Sequence, residues 1–458
     1  MAARGGFGVV MLALVGLAGC GVPAEAQEAG KEVRAQEEEE LAAVASPVTP
    51  AALTGGADWV RHPESSGYTV ASSVVQDRDG SVLVLANVEG SVDFGRGSLS
   101  STAQARWLIV LAKYAPDGRL LWAKGFPAAG SREGPATALA VDRQRNVLIA
   151  GRSEGPVDFG GGVRAAGTFL VKLDRTGRHL WSRTVAGEKV GMDVYQLVTD
   201  PNGGIGLSAG LSGSFTLDGR TVTSSGQPTL LKLGQDGRLL WRYVDLVPGE
   251  FTGLVPDSAG NFYACGLTNT NVQTGFVWKL SASGQRLWAK NLGELAGGPQ
   301  SIAVHGSRVV VVGSFALPFT WGGKTLTPDR QRAFAAALTT DGQERWLRTF
   351  GVAGTSVVMD QNDGVVVLGS YLAGDDVGSG PLPGNPSTNV FVTKLDRLEG
   401  RTRWVRAYDQ AFQPVELSTW RERGDAVLLG SFFAPLTLEG QTLTPGATPD
   451  FFLLKLRP

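Results

Sequence analysis

The chain has 458 residues, a formal net charge of −1, three histidines and two cysteines. Balanced charge excludes the basic stripe that a nucleic-acid partner requires, and so few cysteines exclude a disulfide-built scaffold. Sixty-three glycines and no long helical periodicity predict many short strands joined by turns.

Residues 1–19 read as an address. One basic residue, Arg4, precedes the apolar run Val9-Val10-Met11-Leu12-Ala13-Leu14-Val15, which is too short to span a bilayer and has the layout of a signal peptide. The following Leu17-Ala18-Gly19-Cys20 resembles the lipobox of bacterial lipoprotein precursors. That resemblance implies that the Cys20 sulfur is lipidated and becomes the mature N-terminus, giving a stable membrane anchor. Gly21 rather than Asp follows the cysteine, which implies an outer-membrane destination rather than inner-membrane retention. Cys265 is then left without a disulfide partner.

Residues 20–56 form the lipidated cysteine and an acidic tether. They are rich in Ala, Glu, Gln and Pro, with Glu37-Glu38-Glu39-Glu40 at the centre. Low hydrophobicity and a charge run argue for a solvated spacer rather than a packed domain.

Residues 57–458 are repetitive. One unit recurs: a strand ending in Lys, a Gly-containing turn, and a strand carrying Trp. Ala112-Lys113 through Asp117-Gly118 to Trp122 is the clearest copy; Lys172 to Trp181, Lys232 to Trp241, Lys279 to Trp288 and Lys394 to Trp404 repeat it. Ala337-Leu338 through Gly342 to Trp346 keeps the turn and the Trp without the Lys. The turns are hairpin signals, because Gly supplies positive φ. With Trp59, the seven tryptophans stand roughly 47 to 63 residues apart, a period that specifies a propeller, solenoid or array. The rings are expected to fill the space between neighbouring sheets, and each Lys to pack its stem at a strand end with its head in water.

Before each Lys strand lie an apolar strand, a polar turn such as Asp77-Arg78-Asp79-Gly80 or Asp200-Pro201-Asn202-Gly203, and a second strand that usually ends near Gly. Four strands per unit is a propeller blade. The last unit stops at Lys455-Leu456 without its Trp strand, while Trp59 stands in a strand with no Lys strand before it. The expectation is an all-β, seven-bladed propeller in which the N-terminal strand completes the last blade, abolishing free edges. This pattern of Asp-x-x-Gly-Asn, strand, Lys, turn and Trp resembles the SBBP-type β-propeller repeat of bacterial secreted proteins. It is more distantly similar to PQQ-type propeller repeats. The resemblance implies the fold and is nearly silent on function.

Five blades insert a short segment after the second strand, as in Val92-Asp93-Phe94-Gly95, Val157-Asp158-Phe159-Gly160 and Phe319-Thr320-Trp321-Gly322-Gly323. Their alternation predicts small extra hairpins gathered with the blade-to-blade links on one face. A binding surface is expected there, with exposed Arg132, Glu133, Asp375 and Asp376 as candidate members. Two Gly-x-Ser-x-Gly matches, Gly151 to Gly155 and Gly206 to Gly210, end strands and lack the following helix of a nucleophile elbow. His62, His179 and His305 lack zinc spacing. No catalytic, metal or cofactor site is expected. The functional expectation is a monomeric, lipid-anchored, non-enzymatic scaffold at the bacterial envelope, contacting protein or glycan. The alternatives are a quinoprotein-like or polysaccharide-acting enzyme at the central channel, and an adhesion module.

Overall fold

The computed structural model describes residues 57–130, 134–187, 190–269, 273–360, 364–409, 412–419, 424–446 and 449–457. Cys20, the signal segment and the tether lie outside them, as do Arg132 and Glu133. Seven four-stranded antiparallel sheets follow one another along the chain. The first blade comprises Thr69–Gln76, Val82–Glu89, Trp107–Tyr114 and Leu120–Ala128, innermost strand first. In the seventh, Phe412–Thr419, Ala426–Phe432 and Asp450–Leu456 are completed by the N-terminal strand Ala57–Arg61. Trp59 pairs there with Lys455, the register that Trp122 has with Lys113 in the first blade. The N-terminal strand therefore closes the ring.

Central strands of each blade are buried on both faces, as a sheet sandwiched between two others must be. Trp107–Tyr114 is buried at every position. Apolar clusters join successive blades: Leu83, Leu85, Ile109 and Leu111 of the first pack with Leu139, Ile149, Phe169 and Val171 of the second. The core thus lies between blades, which is why a single blade cannot stand alone.

Antiparallel strands sort the connections. The Asp-rich turns and the Gly turns before each Trp emerge on one face. Blade-to-blade links and the inserted hairpins emerge on the other, as expected. Ser91–Asp93 pairs with Ser98–Ser100, Val157–Asp158 with Val163–Arg164, Phe319–Trp321 with Lys324–Leu326 and Leu436–Leu438 with Gln441–Leu443. In the third blade the insertion simply lengthens the two middle strands, Ile205–Leu217 and Arg220–Leu233. The tips at Asp218-Gly219, Gly322-Gly323 and Glu439-Gly440 have positive φ at both residues, the type I′ geometry that matches strand twist.

The tryptophans do something more specific than filling space. Each stands on an outer strand, and six of the seven lie over the Gly turn of the next blade. The indole N–H of Trp59 donates to the carbonyl of Pro116 at 3.0 Å, that of Trp122 to Arg175 at 3.2 Å, and that of Trp181 to Gln235 at 3.2 Å. Trp241, Trp288 and Trp346 repeat the bond to Ala282, Thr340 and Arg397. Trp404, half-buried, packs against the cluster shared by the sixth and seventh blades.

The lysines correct the expectation. In five blades the heads lie against a carboxylate rather than in water, while the fourth blade's half-buried Lys279 gives its ammonium to the Thr340 carbonyl at 3.1 Å. Lys113, Lys172 and Lys455 are buried and reach Asp77, Asp142 and Asp425, each at 2.8 Å; Lys232 pairs with Asp200, and Lys394 with Asp360 at 2.8 Å. In four of these blades the partner is the Asp that opens the polar turn. Its other oxygen accepts backbone N–H groups, as Asp200 does from Asn202 and Gly204 at 2.8 Å. One carboxylate therefore fixes both the turn and the third strand. The fifth blade lacks both partners: Ala337 replaces the Lys and His305-Gly306-Ser307-Arg308 replaces the Asp turn.

Candidate functional site

Seven innermost strands converge on a central channel of about 580 Å³. Every one of them skips a residue at the same depth. The unpaired residues are Ser72, Thr137, Tyr195, Thr252, Gln300, Thr355 and Val415. A bulge re-aims the side chain it carries, so the ring of bulges forms a collar, six parts polar to one apolar. No repeat motif marked these positions. A signal existed in the Gly that ends the second strand: Gly266 and Gly313 stand opposite Phe251 and Pro299, immediately before the skipped residue. There a Cβ would collide with the backbone carbonyls of Glu250 and Gly298.

The collar is stitched from blade to blade. Thr137 Oγ1 donates to the Val194 carbonyl at 2.9 Å, and Thr252 Oγ1 to that of Pro299 at 2.7 Å. On the long-connector face the channel opens into a cavity of about 420 Å³ lined by Arg152, Glu154, Asp193, Tyr195, Glu250 and Gln300 among others. Tyr195 lies half-exposed there, its hydroxyl over Gly210. Burial, then the nearby Glu250 and Asp193 carboxylates, raise its phenol above the usual value. Arg152 and Asp193 stand 3.7 Å apart.

Of the expected binding-face residues, Asp376 is exposed on a long connector, its Oδ1 accepting from Gly378 N–H at 2.6 Å and Gly380 N–H at 2.9 Å. Asp375 is not exposed. It is buried, bonded to Arg330, to Arg332 at 3.2 Å and to Leu372 N–H at 2.8 Å. Arg330 comes from the connector of the preceding blade and Arg332 from the start of the strand that follows it; together they draw the carboxylate inward, so Asp375 ties its own connector to that blade. Nothing places Asp375 or Asp376 at the channel mouth.

The serines of the rejected nucleophile motifs stand in strands, Ser153 at the end of one. Ser153 donates to the carbonyls of Ala129 at 3.0 Å and Gly155 at 2.7 Å, and Ser208 is buried in a central strand. His62 pairs with buried Asp450 at 3.0 Å, where the N-terminal strand leaves the seventh blade. Among the described residues no three His, Cys, Asp or Glu side chains gather as metal ligands.

The protein is a β-propeller. No protein-family model and no curated protein matches the chain. Solved propellers do. BamB from Moraxella catarrhalis is 12% identical over 88% of this chain and 100% of its own, with a TM-score of 0.41. The β-propeller domain of the Trilobed protease from Pyrococcus furiosus is 7% identical over 84% and 93%, with a TM-score of 0.46. The Neurospora crassa Pan2 WD40 domain is 10% identical over 90% and 92%, with a TM-score of 0.44. At these values the likenesses say nothing about activity or partner.

Proposed function

We propose that this chain is a lipid-anchored, non-enzymatic scaffold of the bacterial envelope, a member of the SBBP-type repeat proteins, that holds a protein or glycan partner on its long-connector face. One observation carries the reading. Among the described residues, six of the nine exposed large apolar side chains, Tyr68, Val163, Tyr195, Leu246, Leu317 and Phe433, lie on that face, in or beside the connectors. Leu246 is 93% exposed, and Tyr195 borders the channel mouth. Apolar anchors on elaborated loops over a rigid frame are what a binding face requires. The three remaining ones, Leu180, Leu240 and Leu287, precede tryptophans on outer strands.

The test is capture of partners from envelope extract by the mature protein, with residues on each face replaced in turn by a photo-cross-linker. One stoichiometric protein or glycan cross-linked at positions 195 and 246, and not at turn positions such as 117, is the expected result. A co-purified metal or quinone with turnover at the channel would replace this reading with the enzymatic one. Cys20→Ser should release the protein from the membrane fraction, read by fractionation; continued membrane retention would refute the anchor.

A further inference from the structure

One residue after the bulge, three successive innermost strands send a side-chain oxygen to the backbone of the next blade. Ser301 of the fifth blade accepts from Val357 N–H at 3.2 Å. Ser356 of the sixth accepts from Leu417 N–H at 3.1 Å. In the seventh the residue is Glu416, whose Oε2 accepts from Val74 N–H at 2.7 Å and from the Ser73 hydroxyl at 2.8 Å. The same link that two blades make with a neutral hydroxyl is made by an acid where the last blade meets the first. Glu416 is the one carboxyl among the described residues that line the channel.

Its surroundings supply no countercharge. The strands packed against Phe412–Thr419 are Thr69–Gln76, Ala353–Met359, Val365–Tyr371, Asn389–Leu395 and Ala426–Phe432. They carry two titratable side chains, both engaged elsewhere: Tyr371 donates to the Pro383 carbonyl at 2.6 Å, and Lys394 pairs with Asp360 at 2.8 Å. At the turn end of the same sheet, Asp425 is held by Lys455 at 2.8 Å and Gln76 at 3.1 Å. The phenol of Tyr195 is the other ionisable group of the channel lining.

We propose that Glu416 is a proton-operated latch of the ring, holding the seventh blade to the first when neutral and loosening that junction when ionised. Protonated on Oε1, the carboxyl still offers Oε2 to Val74 and Ser73 and places no isolated charge among converging strands. Glu416 is half-buried on the channel wall, and the strands packed around its carboxyl push the group up from 4.5 to about 7, against the pull of its two donors. A folded-state value above the unfolded one means that the folded chain holds this proton more tightly. The stabilising contribution is therefore complete below about pH 4.5 and is lost as pH rises through about 7.

The experiment follows urea unfolding of the mature chain from pH 5 to 8.5, in wild type and Glu416→Gln. The wild-type folding constant should fall relative to the variant on the order of 100-fold across this range, most of it between pH 5 and about 7, and level off above. Parallel curves overturn the proposal. A second measurement needs no variant: hydrogen-exchange protection of the Val74 amide against those of Val357 and Leu417. Val74 should lose protection above pH 7 while the two serine-linked amides keep theirs. An equal response at all three overturns the latch.

Discussion

At the scale of single residues, the repeated Lys is the clearest lesson. A lysine at the end of a strand, read alone, belongs in water; about thirty residues upstream stands the carboxylate that draws it inside. Lys172 and Asp142 share a buried site at 2.8 Å. Removing one partner strands the other's charge away from water. Lys172→Met should therefore destabilise the fold by about 3–5 kcal/mol. Adding Asp142→Asn should recover a large part of that, since Asn retains an oxygen for the turn. Urea unfolding of both variants checks this, and additive losses would refute the coupling. The fifth blade already lacks both members together. Lys232 shows the cost of such sites, because burial pulls its ammonium below the ordinary value even though Asp200 works in the opposite direction. Cys265 is fully buried, and burial pushes its thiol up to about 12. It should resist thiol reagents at pH 8 in the native protein and react at once in denaturant, a test by absorbance titration.

At the scale of elements, the Trp–turn contact explains the spacing that makes the repeat legible. The turn Gly is needed for its left-handed backbone and for the ring lying on it. Gly284 has φ of +86°, and a Cβ there would stand 2.7 Å from the Trp241 ring. Gly219, at a hairpin tip, has φ of +74° with open space around it. Alanine at Gly219 should cost about 1 kcal/mol, the conformational penalty alone. At Gly284 it should cost roughly 1–2 kcal/mol more, because the neighbouring blade must shift as well. Thermal melts of the two variants distinguish these outcomes, and equal losses would mean that the ring gives way freely.

At the scale of the whole molecule, completing the last blade rests on five residues. Ala57–Arg61 supply the outer strand of the last blade, and Trp59 with Arg61 reach onto the first blade's turn at Pro116 and Gly118. Deleting residues 57–61 leaves Asp450–Leu456 as an open, apolar edge. The truncated protein should melt lower and self-associate, seen by calorimetry and size exclusion. An unchanged monomer would show that six blades and a fragment suffice.

The seven-bladed ring was legible in the sequence because hairpin turns, glycines with positive φ and a ring-bearing strand are local requirements, met again in each unit. The complementary half-units at the two ends told where the ring closes for the same reason. Which charges are buried was decided only in three dimensions, since Lys113 meets Asp77 and Asp375 meets Arg330 and Arg332 across strands and blades. The collar of bulges and Glu416 were hidden for a related cause. A bulge is a fact about two strands in register, and an acid lining a channel becomes unusual only when seven strands converge around it. Local turn chemistry wrote the architecture into the chain. Burial, which depends on every neighbour at once, was set by the folded ring.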